Sequence, residues 1–134
     1  MADPKELPEG TDMVVLTWGA LVQRSLLAAQ QAEKDGISVA VFDLRTIMPY
    51  DWDGIANLVR STNKVIVAHE DTLTCGFGAE IAARIGEELF EYLDAPVKRV
   101  AALDSPVAYC PDLEEKILPQ SSDVLAAIKK LAAY

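Results

Sequence analysis

Apolar and polar positions alternate along this chain in blocks that switch between a short uninterrupted period and a helical one. Met13 to Thr17 is a five-residue apolar and β-branched run, which predicts a strand. Leu21, Val22, Ser25, Leu26, Ala29 and Ala32 then recur at helical spacing, and Gly36 supplies a stop. Ser38 to Phe42 predicts a second strand. Pro49 and Asp51 open a short helix carrying Ile55, Leu58 and Val59, and Lys64 to Ala68 predicts a third strand. From Phe77 to Leu93 a helix is expected, with Ile81, Ala82, Ile85, Leu89 and Phe90 on one face and Glu80, Arg84, Glu87, Glu88 and Glu91 on the other. Asp94-Ala95-Pro96 breaks it. Val97 to Leu103 predicts a fourth strand, and a loop rich in proline and acid follows. Ser121-Ser122-Asp123 is expected to cap a last helix, Val124 to Ala132.

The predicted strands are apolar on both faces rather than alternating. That is the pattern of a parallel sheet covered by helices on both sides. The expected fold is therefore α/β: one three-layer α/β/α sandwich over residues 11–134, with a mainly parallel sheet of four to five strands. Residues 1–10 read as a short leader or an artificial boundary. They lack the apolar stretch after a basic start that a signal peptide needs.

Composition narrows the function more by exclusion than by assignment. The 134 residues carry 21 acids against 12 bases, a net charge of −9, which repels nucleic acid and anionic membrane surfaces. No apolar run approaches the roughly 18 to 20 residues that cross a bilayer. Cys75 and Cys110 stand far apart and unpaired, so neither a disulfide framework nor a zinc site is expected. A cytoplasmic or organelle-matrix protein fits these facts.

The polar, glycine-bearing turn His69-Glu70-Asp71-Thr72-Leu73-Thr74-Cys75-Gly76-Phe77-Gly78 joins the third strand to the following helix. Such turns are where α/β proteins place contacts with ligands or neighbouring subunits. His69 is the only histidine, and a general base or metal ligand is one reading of it. A metal site needs two or more further ligands, which only Glu70 and Asp71 could supply. A Cys75–His69 nucleophile pair lacks a third group to orient it. The favoured role for His69 is a hydrogen bond at the carboxyl end of the sheet, inside a subunit contact. Gly76 and Gly78 begin a helix, where exposed amides attract anions, but Glu70 and Asp71 crowd the same turn. Tight backbone packing is the better reading of the two glycines. His69, Glu70, Asp71, Gly76, Phe77 and Gly78 are accordingly interface candidates, with no catalytic, cofactor-binding or metal residue assigned.

The first strand-to-helix turn, Trp18-Gly19-Ala20-Leu21-Val22, has one of the three glycines of a dinucleotide fingerprint, which argues against nucleotide binding. Asp43 and Arg45 could form an ion pair. Trp18, Trp52, Phe77 and Tyr109 are large rings at turns or helix starts, and several together would make an adhesive rim for another chain.

Five segments in order resemble the C-terminal domain of transketolase-like enzymes, in the version found in the beta subunit of thiamine-diphosphate-dependent 2-oxoacid dehydrogenases. They are Val14-Val15-Leu16-Thr17-Trp18-Gly19, the stretch from Val41 through Asp43-Leu44-Arg45-Thr46 to Asp51, Val67-Ala68-His69-Glu70, the run from Thr74 to Ile81, and Leu93 to Val100. The resemblance spans residues 11 to 132. It implies a non-catalytic assembly domain, with thiamine diphosphate and magnesium held elsewhere in the parent enzyme and none bound here. It also implies partners: a pyrimidine-binding domain, an alpha subunit, a second beta subunit and the basic subunit-binding domain of an acyltransferase. At the position of Cys75 the family usually has glycine. The equivalent domain of transketolase or deoxyxylulose-phosphate synthase is the nearest alternative, and a stand-alone flavodoxin-like ligand-binding module is the alternative of another class.

Overall fold

The computed structural model describes residues 11–134, and the backbone of residues 6–7. Its elements run β1 (Glu6–Leu7), β2 (Met13–Thr17), α1 (Leu21–Lys34), β3 (Val39–Asp43), α2 (Trp52–Thr62), β4 (Val65–Thr72), α3 (Phe77–Glu88), a 3-10 turn (Phe90–Tyr92), β5 (Lys98–Ala102), α4 (Pro111–Ile117) and α5 (Ser121–Ala132). The sheet order is β1-β3-β2-β4-β5. β2, β3, β4 and β5 pair in parallel, and β1 closes one edge antiparallel to β3.

Residues one apart on β2 feed two different cores, as the pleat requires. Met13 and Val15 join Ile66, Val124 and Ile128 in the layer formed with α1 and α5. Val14 and Leu16 join Phe42, Ile55, Val67 and Ile81 in the layer formed with α2 and α3. This is the three-layer sandwich that two-faced apolar strands dictate. Among the described residues no helix is long and apolar enough to cross a membrane.

Several boundaries differ from the sequence reading, each for a local reason. β4 runs on to Thr72, through the polar His69-Glu70-Asp71, because its end pairs with Ala102. α3 stops at Glu88 and tightens into the 3-10 turn rather than continuing to Leu93. The loop after β5 contains a helix that proline and acid concealed. Pro111 sits in its first turn, where a missing N–H costs nothing, and Asp112 and Glu114 complement its positive end. α5 starts earlier than Val124. Its cap is Gln120, in a reciprocal capping box with Asp123, so Ser121 and Ser122 lie within the helix. β5 departs from the two-sided apolar pattern, since Lys98 and Arg99 belong to an edge strand. The leader expected over residues 1–10 lies outside the described residues, apart from Glu6–Leu7.

Candidate functional site: the turn from β4 to α3

Parallel strands deliver Thr17, Asp43 and His69 to one end of the sheet, and helix-starting turns follow each. Between β4 and β5 the register slips: Ala68 faces Val100, yet Thr72 faces Ala102. His69, Glu70 and Asp71 therefore occupy a bulge, a device that re-aims side chains at the rim of a sheet.

His69 is fully buried. Its ring stacks on Trp18, with centroids 5.1 Å apart and planes within 7°. The start of α3 also lies against this ring. A Cβ on Gly76 would come within 2.7 Å of His69 Cε1, and one on Gly78 would overlap Nε2 and Cδ2 outright. Neither ring nitrogen finds a hydrogen-bond partner among the described residues, so the bond expected of His69 is not made within the domain. Burial holds its pKa below the ordinary histidine value, against an opposing pull from the Asp71 carboxylate. A neutral, stacked and enclosed imidazole is a packing element here. The Thr17 hydroxyl, at the end of the neighbouring strand, is likewise buried without a partner.

The rest of the turn is held by polar contacts from outside it. Asp104, in the loop after β5, accepts from the Thr74 amide at 2.9 Å and from the Thr74 hydroxyl. These two bonds lower the Asp104 pKa, the hydroxyl's being the larger influence. Arg99 donates to the Leu73 carbonyl at 2.6 Å, and Thr72 donates to the Thr74 carbonyl. Glu70 is exposed and faces Arg24 at 3.5 Å. Asp71 is exposed and accepts from the Thr72 amide. Cys75 is exposed and has φ +62°, a left-handed conformation that glycine enters freely.

Beside the turn, aromatic rings form a ledge. Phe77 meets Trp18 and Tyr50 edge-on, at 5.9 and 5.7 Å, and Tyr50 meets Trp52 at 6.4 Å. Arg84 covers the Trp52 ring at 4.0 Å and donates to the Tyr50 hydroxyl at 2.9 Å. Three of the four rings singled out in the sequence thus come together, and Tyr109 stands apart, fully exposed. Sequence reasoning missed Tyr50 as the ring joining the others. It placed Arg84 only on the face of its helix opposite the apolar one, and missed Asp104. The Tyr50–Arg84 bond spans 34 residues and leaves no local signature. The anticipated Asp43–Arg45 ion pair is not formed; Asp43 instead accepts the Arg45 backbone amide at 3.0 Å.

Chemically, this end of the sheet offers fixed rings and scattered carboxylates. Among the described residues no three His, Cys, Asp or Glu side chains converge as metal ligands. The start of α3 is pressed against the His69 ring, so closely that a Cβ on Gly76 or Gly78 would strike it, and the exposed carboxylates of Glu70 and Asp71 flank the same turn. The residues present do not fit a magnesium–diphosphate site.

The family model for the C-terminal domain of transketolase matches residues 4–124. This chain belongs to that family. Among curated relatives, the pyruvate dehydrogenase E1 component subunit beta of Rickettsia felis is 39% identical over 130 residues, covering 97% of this chain and 40% of the relative. The 2-oxoisovalerate dehydrogenase subunit beta of Bacillus subtilis is 41% identical over 127 residues, covering 94% of this chain and 39% of the relative. Among solved structures, a split-gene transketolase described as an inactive beta4 tetramer superposes with a TM-score of 0.82 at 28% identity. That match covers 98% of this chain and 41% of the other. The transketolase C-terminal fold is thus shared over nearly the whole sequence, while the chain spans about two fifths of the length of the curated relatives it matches.

Proposed function

We propose that this chain serves as the C-terminal assembly domain of a thiamine-diphosphate-dependent 2-oxoacid dehydrogenase. The observation that carries the reading is the identity of 39 to 41% with dehydrogenase beta subunits across almost the entire domain. The site geometry supports it. A fully enclosed histidine, glycines pressed against its ring and a half-buried aromatic ledge suit a rigid contact surface better than a catalytic centre.

In this reading the whole complex decarboxylates a 2-oxoacid oxidatively and passes the acyl group to lipoamide. Thiamine diphosphate, with magnesium, supplies the decarboxylation chemistry in the parent enzyme and is held by residues outside this domain. His69, Glu70, Asp71, Gly76, Phe77 and Gly78 belong to the loop that meets neighbouring subunits. His69 and the two glycines set its shape, while Glu70, Asp71 and part of Phe77 reach its surface. The partners are the pyrimidine-binding domain, the alpha subunit and a second beta subunit. The acid excess suits the basic subunit-binding domain of the acyltransferase, with charge steering the encounter. The location is the cytoplasm of a bacterium or the mitochondrial matrix of a eukaryote.

Two measurements test this. The purified chain assayed alone with pyruvate and branched 2-oxoacids should show no turnover, and turnover would overturn the reading. Binding to a basic subunit-binding domain should weaken steeply with salt. Salt-insensitive binding, or none, would remove that partner.

A further inference from the structure

The loop after β3 combines features that the domain's own core does not require. Leu44 is buried, but the chain then turns outward. Arg45 adopts φ +57°, a conformation an arginine enters only at a cost that glycine avoids. That conformation is held from both sides. Asp43 accepts the Arg45 amide, the Thr46 amide reaches the Leu44 carbonyl at 2.6 Å, and the Thr46 hydroxyl donates to the Pro49 carbonyl at 2.7 Å. So fixed, the loop presents Arg45, Ile47 and Met48 to solvent, with Met48 80% exposed. No carboxylate among the described residues pairs with the Arg45 guanidinium. A cation with no carboxylate partner among the described residues, beside an exposed methionine on a braced loop, offers a contact surface on a chain of net charge −9.

The direction of β1 indicates what it contacts. Glu6 lies opposite Phe42 and Leu7 opposite Val41, antiparallel. β1 therefore begins at the carboxyl end of β3, the end that carries this loop. The family is named for the C-terminal place of its domain, and the relatives are about two and a half times the length matched here. Their preceding part would reach this domain beside Arg45.

We propose that Arg45, Ile47 and Met48 form the contact surface for the pyrimidine-binding domain, with the guanidinium paired to a carboxylate of that domain and Met48 seated in an apolar recess. This rests on the assembly-domain reading above and assigns it a second surface, separate from the turn between β4 and α3.

The test mixes the 134-residue chain with the part of the Bacillus subtilis 2-oxoisovalerate dehydrogenase beta subunit that precedes its matching domain, after circular dichroism and a cooperative melt have shown that part to be folded. With p-benzoylphenylalanine at position 48, irradiation should cross-link the two proteins; the same probe at position 109 should not. Arg45→Gly keeps a residue at ease in the left-handed conformation, so it should melt no lower than the parent chain yet bind roughly tenfold more weakly. Arg45→Glu with Met48→Asp should weaken binding further, and Tyr109→Asp should leave it unchanged. If the unaltered chain fails to bind at all, the assembly-domain reading falls and this proposal with it. If the unaltered chain binds, but the Arg45 and Met48 variants bind equally well and position 48 gives no cross-link, this proposal alone falls.

Discussion

Gly78 has no side chain to spare because the imidazole of His69 occupies the place its Cβ would take. The two residues, nine apart in sequence, lock the end of β4 to the start of α3. Gly78→Ala should therefore cost about 1 to 3 kcal/mol, the usual penalty for overpacking. His69→Ala opens the space, so the two substitutions should not add. A double-mutant cycle by urea denaturation should give a coupling of about 0.5 to 3 kcal/mol. Additive effects would mean that the ring and the glycine are not in contact.

The same burial has a consequence for pH. The native state disfavours protonated His69, whereas the unfolded chain protonates it near the ordinary value of about 6.5. The unfolded state then binds more protons below that pH, so stability falls as pH drops from about 6.5 toward the depressed native pKa. One proton limits the slope to about 1.4 kcal/mol per pH unit. Asp and Glu titrate mainly below about pH 5, which leaves a window for the histidine. His69→Phe should flatten the stability profile between pH 6.5 and 5. An unchanged slope would assign the effect to other groups.

Cys75 stands at φ +62°, a conformation that glycine enters freely and a cysteine does not. Cys75→Gly should relieve the left-handed strain, offset in part by the greater freedom of glycine in the unfolded chain. A net gain of about 0.5 to 1 kcal/mol is expected, read as a higher Tm. A lower Tm would show that the thiol makes a stabilising contact.

The sequence disclosed much of this architecture because the strands are unambiguous. Met13–Thr17 and the core of β4 are apolar on both faces, and only a covered parallel sheet accommodates that. The glycines at 76 and 78 signalled close packing, but not the group they pack against. Periodicity carries no information about a contact between residue 69 and residue 78 across a bulge. The Tyr50–Arg84 bond and the Asp104–Thr74 pair were hidden for the same reason, since they join elements distant along the chain. α4 was concealed because Pro111 and the acids around it read as loop, although a proline in the first turn of a helix loses no hydrogen bond. The polar end of β4 escaped because strand pairing with Ala102, not apolar content, extends it.

The assembly role rests finally on whether this domain can stand in for its relatives. Replacing the matching C-terminal domain of the Bacillus subtilis 2-oxoisovalerate dehydrogenase beta subunit with residues 11–134 gives a chimaera for assay with its alpha subunit and thiamine diphosphate. The expected result is a stable complex that decarboxylates branched 2-oxoacids, while the isolated 134-residue chain does not. A soluble, folded chimaera that neither binds the alpha subunit nor turns over would contradict it.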